Sequence, residues 1–172
     1  MEDRADEAAA QGRSDVQSVG ERPHHGQSSP SESTRLLNSI AGHLAGFVYR
    51  CRDDAQWTVE YISGGFQALT GYAPEDLVGN RLFGYSELIH PEDRPLVVAV
   101  SNCDKLEGAR IAVEYRLCRR DGAVRWVCER AVRVYDQPSA SWKWEGFIED
   151  ITERKRAEHA LHEANERYQS IF

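Results

Sequence analysis

Glu145-Gly146-Phe147-Ile148-Glu149-Asp150-Ile151-Thr152-Glu153-Arg154-Lys155 begins as a strand and ends as a charged helix. From Trp142 the period is two, with Trp142, Trp144, Gly146 and Ile148 alternating with Lys143, Glu145, Phe147 and Glu149. Past Asp150 the residues are Glu, Arg, Lys and Ala, all good helix formers. Asp150 and Glu153 have the spacing of a capping box, with Asp in place of Ser or Thr. A strand that runs straight into an outgoing helix couples a folded core mechanically to whatever follows it. That layout suits a relay module better than an enzyme core.

Working back from that strand, Ala109 to Arg119 alternates Ile111, Val113, Tyr115 and Leu117 with Ala112, Glu114, Arg116 and Cys118. Asp121-Gly122 is a strong hairpin signal, and Ala123 to Tyr135 returns with Val124, Trp126 and Cys128 on one face. If Asp121 and Gly122 form a two-residue loop, Cys118 pairs with Arg125 and Tyr115 with Cys128. Cys118 and Cys128 then point to opposite faces and cannot form a disulfide. Earlier in the chain, Phe47 to Cys51 and Trp57 to Ile62 read as a hairpin joined through Asp53-Asp54. Between the two hairpins lie short helices. One carries Phe66, Leu69 and Thr70 and stops at Gly71; another runs from Pro74 to Gly79. Leu82 to Ile89 reads as irregular. A longer helix is predicted from His90 to about Asp104, with Pro91 and the acidic pair Glu92-Asp93 suited to its first turn and Leu96, Val97, Val100 and Cys103 inward. The expected fold class is α+β: a five-stranded antiparallel sheet flanked by short helices, with a C-terminal linker helix.

The 172-residue chain carries a net charge of −7 and lacks the basic balance of a general nucleic-acid binder. It has no apolar run of membrane-spanning length and no apolar core of a signal peptide near Met1, so a cytoplasmic location is expected. Four cysteines, Cys51, Cys103, Cys118 and Cys128, form no CxxC pair, which argues for reduced thiols rather than a zinc site. Residues 1–33 are rich in Ala, Gln, Gly, Ser, Pro and charge and read as a disordered tail; His24-His25 inside it make a poor metal site. Residues 34–44 read as a lead-in helix, with Leu36, Leu37, Ile40 and Leu44 at helical spacing. No nucleophile–base constellation or Gly-rich phosphate loop is present. At the other end, Ala157, Leu161, Ala164, Tyr168 and Ile171 fall at four-three-four-three spacing, an a/d seam two heptads long.

Taken in order, Phe47-Val48-Tyr49-Arg50, Glu60-Tyr61-Ile62-Ser63, Leu69-Thr70-Gly71-Tyr72, Ile89-His90-Pro91-Glu92-Asp93-Arg94, Glu114-Tyr115-Arg116, Asp121-Gly122, Arg125-Trp126 and Gly146 to Lys155 resemble a PAS (Per-Arnt-Sim) sensory domain of the bacterial type with its C-terminal PAC motif. The resemblance covers residues 45–155, with the sensory domain itself expected over residues 45–151. It implies a sensory module that couples a stimulus or ligand in its core, through the helix of residues 152–172, to an output domain such as a histidine kinase, a diguanylate cyclase or a cyclic-di-GMP phosphodiesterase. Glu166 to Phe172 resembles the opening of a further module of the same kind. Asp150 and Thr152 would be the junction between sheet and helix; their short polar chains can hydrogen-bond local backbone there.

The resemblance places the chemistry between sheet and helices. The expected lining is Phe66, Leu69, Leu88, Val97, Ile111, Val113, Trp126 and Phe147, set against the alternative of a filled, ligand-free core. Three readings follow. The first is a sensor of an unknown small ligand. The second is a ligand-free dimerisation and relay module, a homodimer through the C-terminal helix or the PAS domain itself. The third is a haem-based gas or redox sensor with His90 as the iron ligand. Flavin adduct chemistry needs Asn-Cys-Arg, and here Gly79-Asn80-Arg81-Leu82 has no Cys in the required place. No catalytic residue is expected within the segment; an enzyme activity would belong to an output domain.

Overall fold

The computed structural model describes Ser39, residues 45–103 and residues 105–169. The N-terminal tail, the expected helix over residues 34–44 apart from Ser39, and Ile171 lie outside the described residues. Five strands, β1 (Gly46–Arg52), β2 (Val59–Ile62), β3 (Arg110–Cys118), β4 (Val124–Asp136) and β5 (Ser141–Asp150), form one sheet. Its order is β2-β1-β5-β4-β3, antiparallel at every pairing. The last strand therefore lies at the centre, between β1 and β4. Helices α1 (Gly65–Thr70), α2 (Pro74–Leu77), α3 (Tyr85–Leu88) and α4 (Arg94–Cys103) connect β2 to β3, and α5 (Thr152–Gln169) leaves from β5.

The helices cover one face of the sheet. Phe47, Val113, Tyr115, Leu117, Val127, Trp144 and Ile148 point from it into a core completed by Phe66, Leu69, Leu77, Leu88 and Val97. A bulge between Arg50 and Cys51 opposite Val59 to Tyr61 shifts the β1–β2 register. It lets Val59 and Ile62, three residues apart, both be buried. Gly71 ends α1 at φ +81°, its N–H donating to the Gln67 carbonyl at 2.8 Å. The α1 helix touches the sheet through glycine: a Cβ on Gly65 would stand 2.0 Å from the Gly46 carbonyl oxygen.

Four local expectations are corrected. Tyr85–Leu88 is a helical turn where irregular chain was expected. The long helix starts at Arg94 rather than His90; Asp93, just before it, is tied to β3, its carboxylate accepting from the Arg116 backbone N–H at 2.8 Å and from the Arg116 guanidinium at 2.7 and 2.9 Å. The buried face of α4 is Val97 and Ser101; Leu96 and Cys103 are exposed. Asp150 and Glu153 form no reciprocal box. The Asp150 carboxylate accepts from Thr152 N–H at 2.9 Å, while Asp150 N–H donates to Ala45 and Glu153 pairs with Arg156.

The β3–β4 hairpin carries the correction with the widest reach. Arg119 N–H donates to the Ala123 carbonyl, leaving Arg120, Asp121 and Gly122 as a three-residue loop with Gly122 at φ +82°. The register is thereby Cys118 opposite Val124 and Glu114 opposite Cys128. A register moved by one residue changes every face assignment. Cys118 and Cys128 now share a face. They are kept apart by distance instead, since their ladder positions lie four residues, roughly 13 Å, from each other. All four cysteines are free.

Candidate functional site: a polar cluster in an aromatic cavity

The inward residues of β4 are the odd-numbered ones, and two charged side chains, Glu129 and Arg133, are buried among them. Glu129, opposite Val113 on β3 and Ile148 on β5, is 7% exposed. Its carboxylate accepts hydrogen bonds from the Tyr49 hydroxyl and, at 2.7 Å, from the Tyr115 hydroxyl. With the Tyr115 proton given to Glu129, the Tyr85 hydroxyl is the donor in the 2.8 Å contact between the two tyrosines. Among the described residues no Lys, Arg or His forms an ion pair with Glu129. Burial pushes the Glu129 carboxyl above the ordinary carboxylate range, and the two tyrosine donors pull it back only in part. Burial, followed by the Glu129 charge, raises Tyr49, Tyr85 and Tyr115 well above the usual phenol value, so all three stay neutral donors.

This cluster forms one end of a cavity of about 30 Å³ between the sheet and α3 and α4. The sheet supplies Phe47, Tyr49 and Cys51 from β1, Ile111 from β3, Glu129 from β4, and Trp144 and Ile148 from β5. The helical side supplies Tyr85, Val97 and Ser101, and the β1–β2 connection supplies Trp57. Trp57 has φ +46°, a left-handed backbone unusual for a bulky residue. The loop that holds it is pinned twice: the Asp54 carboxylate accepts from the Gln56 and Thr58 amides, and the Asn80 side chain bonds Val59 N–H and the Gln56 carbonyl. The Trp144 indole N–H donates to Asp53 at 3.2 Å. Asp53 also pairs with Lys105 and Arg133 at 2.7 Å each, and those hydrogen bonds hold its carboxyl below the usual value against the cost of its burial.

Of the expected lining residues, Val97 and Ile111 reach the cavity. Phe66, Leu69, Leu88 and Val113 are buried in the core away from its wall. Trp126 and Phe147 lie on the opposite face of the sheet, paired with Arg116 and Arg130. The two-residue hairpin loop had put Trp126 inside; the three-residue loop puts it outside, where Lys155 and Arg116 stack on its ring. Phe147 is out because β5 buries the Trp144 and Ile148 half of its alternation. The three-residue loop likewise sets Glu129 opposite Val113 on the inward face and Cys128 opposite Glu114 on the other. A charged residue in phase with Val127 and Ala131 was the available signal. His90 stands away from the cavity: its backbone N–H donates to the Arg116 carbonyl, and its Nδ1 lies 3.4 Å from the Glu92 nitrogen. With no histidine on the cavity wall, the wall does not suit haem ligation.

At the far end of β5 the sheet hands over to the helix. Ile151 N–H donates to the Trp126 carbonyl at 2.9 Å, and Trp126 N–H donates to the Thr152 hydroxyl at 3.0 Å. Asp150 faces Arg125 at 3.7 Å. Lys155 and Arg154 both reach Glu114 at 2.6 Å, fastening the first turn of α5 to β3. Beyond that turn the helix is almost wholly exposed, with Leu161 and Tyr168 at 73% and 71%.

A central outgoing strand, a helix-covered cavity and a projecting helix define a sensory-domain architecture, and comparison with known proteins agrees. The family described as PAS fold matches residues 59–148, over half of the chain, and the chain belongs to it. Such a domain is a sensory module and not itself catalytic. A methyl sulfide methyltransferase-associated sensor of Methanosarcina acetivorans is 33% identical over 132 residues, covering 76% of this chain and 13% of that protein. A blue-light-activated histidine kinase of Brucella anthropi is 32% identical over 111 residues, covering 59% of this chain and 21% of that one. The chain thus spans a small fraction of these relatives. The crystal structure of a sensory box histidine kinase/response regulator from Burkholderia thailandensis superposes with a TM-score of 0.60 at 27% identity, covering 81% of this chain and 99% of that one. Among the described residues no helix is long and apolar enough to cross a membrane.

Proposed function

We propose that residues 45–151 form the input unit of a multidomain signalling receptor. In this reading a stimulus at the cavity moves β5, and α5 carries that movement to an output domain such as a histidine kinase or a diguanylate cyclase. The observation that supports it is the continuity of β5. The strand contributes Trp144 and Ile148 to the cavity wall, and its last residue, Asp150, sits at the junction that orients α5. A displacement in the wall reaches the helix through one central strand hydrogen-bonded on both sides.

The test is the double substitution Asp150→Ala with Thr152→Ala in the full-length receptor. The expected result is a folded protein whose output no longer follows its stimulus. An unchanged response would overturn the proposal.

A second role is supported by the exposed seam of α5. Leu161 and Tyr168 are apolar, exposed and seven residues apart, which suits pairing with a second copy in a parallel coiled coil. Sedimentation of the receptor should show a dimer that Leu161→Glu weakens.

A further inference from the structure

Resting on the cavity being the sensory site, we infer that it takes a small alkylammonium ion, held by Glu129 inside an aromatic cage. Three observations lead there. Glu129 is a buried carboxylate with no cationic partner among the described residues, whereas Asp53, Asp93 and Glu60, which are partly or wholly withdrawn from solvent, each have one. Buried charges are ordinarily paired. Each Glu129 oxygen accepts one tyrosine hydroxyl, and a carboxylate has about four lone-pair sites, so acceptor capacity is left over. Five of the twelve wall residues are aromatic, Phe47, Tyr49, Trp57, Tyr85 and Trp144, and apart from Glu129 the others are uncharged. Aromatic faces attract an organic cation through their quadrupoles, most strongly where water is excluded.

Size and polarity narrow the ligand further. A cavity of about 30 Å³ holds roughly two to four non-hydrogen atoms without rearrangement, which fits methylammonium, ethylammonium or dimethylammonium. An anionic ligand would meet Glu129 with the wrong sign, and the wall offers no basic residue to receive it. Trp144, on the strand that continues into α5, would feel the cation directly, which ties occupancy to the proposed output.

The experiment follows the indole N–H resonances of Trp57 and Trp144 and the backbone amides of α5 in the purified 172-residue protein. Methylammonium, ethylammonium and dimethylammonium are titrated in turn, with ethanol as the neutral control and acetate as the anionic one. A saturable shift of both indoles with at least one ammonium, but with neither control, is expected. Glu129→Gln should weaken it about tenfold or more. Ser101→Leu, which adds bulk to the cavity wall from α4 and keeps Glu129 and the tyrosines in place in the sequence, should abolish it and serves if Glu129→Gln does not fold.

No saturable shift with any of the three ammonium ions would overturn the inference, as would equal binding of ethanol. A Glu129 carboxyl that titrates with pH while the indoles ignore ammonium would make the proton the occupant and also overturn it. If the indoles shift but the α5 amides do not, the ligand stands and the relay through β5 fails. If the indoles are silent while Asp150→Ala with Thr152→Ala still uncouples the receptor, the relay stands and the ligand fails.

Discussion

Replacing Thr152 by Val should loosen the joint between sheet and helix. The β4–β5 ladder runs to Val127 opposite Asp150. One step on, the Thr152 hydroxyl supplies the acceptor for Trp126 N–H at 3.0 Å, so a side chain extends the ladder where the chain has already turned into α5. Thr152 is 4% exposed, and water cannot readily replace the hydroxyl. Valine keeps the shape and removes the acceptor, leaving a buried donor unpaired at a cost of about 1–3 kcal/mol. Serine keeps the acceptor and loses one methyl, about 0.8 kcal/mol. The signature is therefore the order of the two variants, with Val less stable than Ser although Val buries more carbon. Urea unfolding at unchanged slope measures the whole-domain cost. Hydrogen exchange at the Trp126 amide reads the joint itself and should quicken by a factor of roughly 5–30 for each one to two kcal/mol lost. A Val variant as stable as the Ser variant, with the Trp126 amide as protected as in the wild type, would refute the reasoning.

Asp53→Ala should cost about 3–5 kcal/mol, because the Arg133 side chain, 7% exposed, would keep its charge and lose its carboxylate partner; thermal unfolding measures it, and Trp144 fluorescence should change as its indole loses the Asp53 acceptor. Gly146→Ala should cost about 1–3 kcal/mol in a urea titration, since the new Cβ would stand 2.8 Å from the Arg130 carbonyl, from Ala131 Cβ and from the Tyr49 ring. Stability should depend on pH through Glu129 with a definite sign. Its folded-state carboxyl is raised, so the folded protein holds a proton that the unfolded chain has released, and stability falls as pH climbs from the ordinary glutamate value through the raised one. Tyr49 and Cys51 from β1, Tyr115 from β3 and Tyr85 from α3 face it, and burial keeps all of them neutral in that range. The stability of Glu129→Gln relative to the wild type should therefore rise with pH and then level; a difference flat across the weakly acidic range would contradict the burial argument. Asp93 has the opposite sign: its hydrogen bonds to Arg116 lower its carboxyl, so its contribution is full above the ordinary aspartate value and is lost as pH falls through the lowered one. Asp93→Asn should flatten the acid limb of the unfolding curve.

Local sequence determined the elements of this protein. Alternation marked the strands around Ile111, Val124 and Trp144, Gly71 marked the end of α1, and the change of composition at Asp150 marked the passage from sheet to helix. These are properties of neighbouring residues, set by backbone preference and by the period of side-chain direction. Alternation separates the two faces of a strand without saying which is inward when both carry apolar groups, as in β4 and β5. The tertiary structure decided that. The hairpin loop is three residues long because Gly122 adopts φ +82° and Arg119 pairs with Ala123. That single residue of register sent Trp126 outward and Glu129 inward. Tyr49, Tyr85, Tyr115 and Glu129 come from four separate elements, and no spacing along the chain announces that their oxygens meet. Their meeting follows from sheet order and helix packing, which bring β1, β3, β4 and α3 to one cavity.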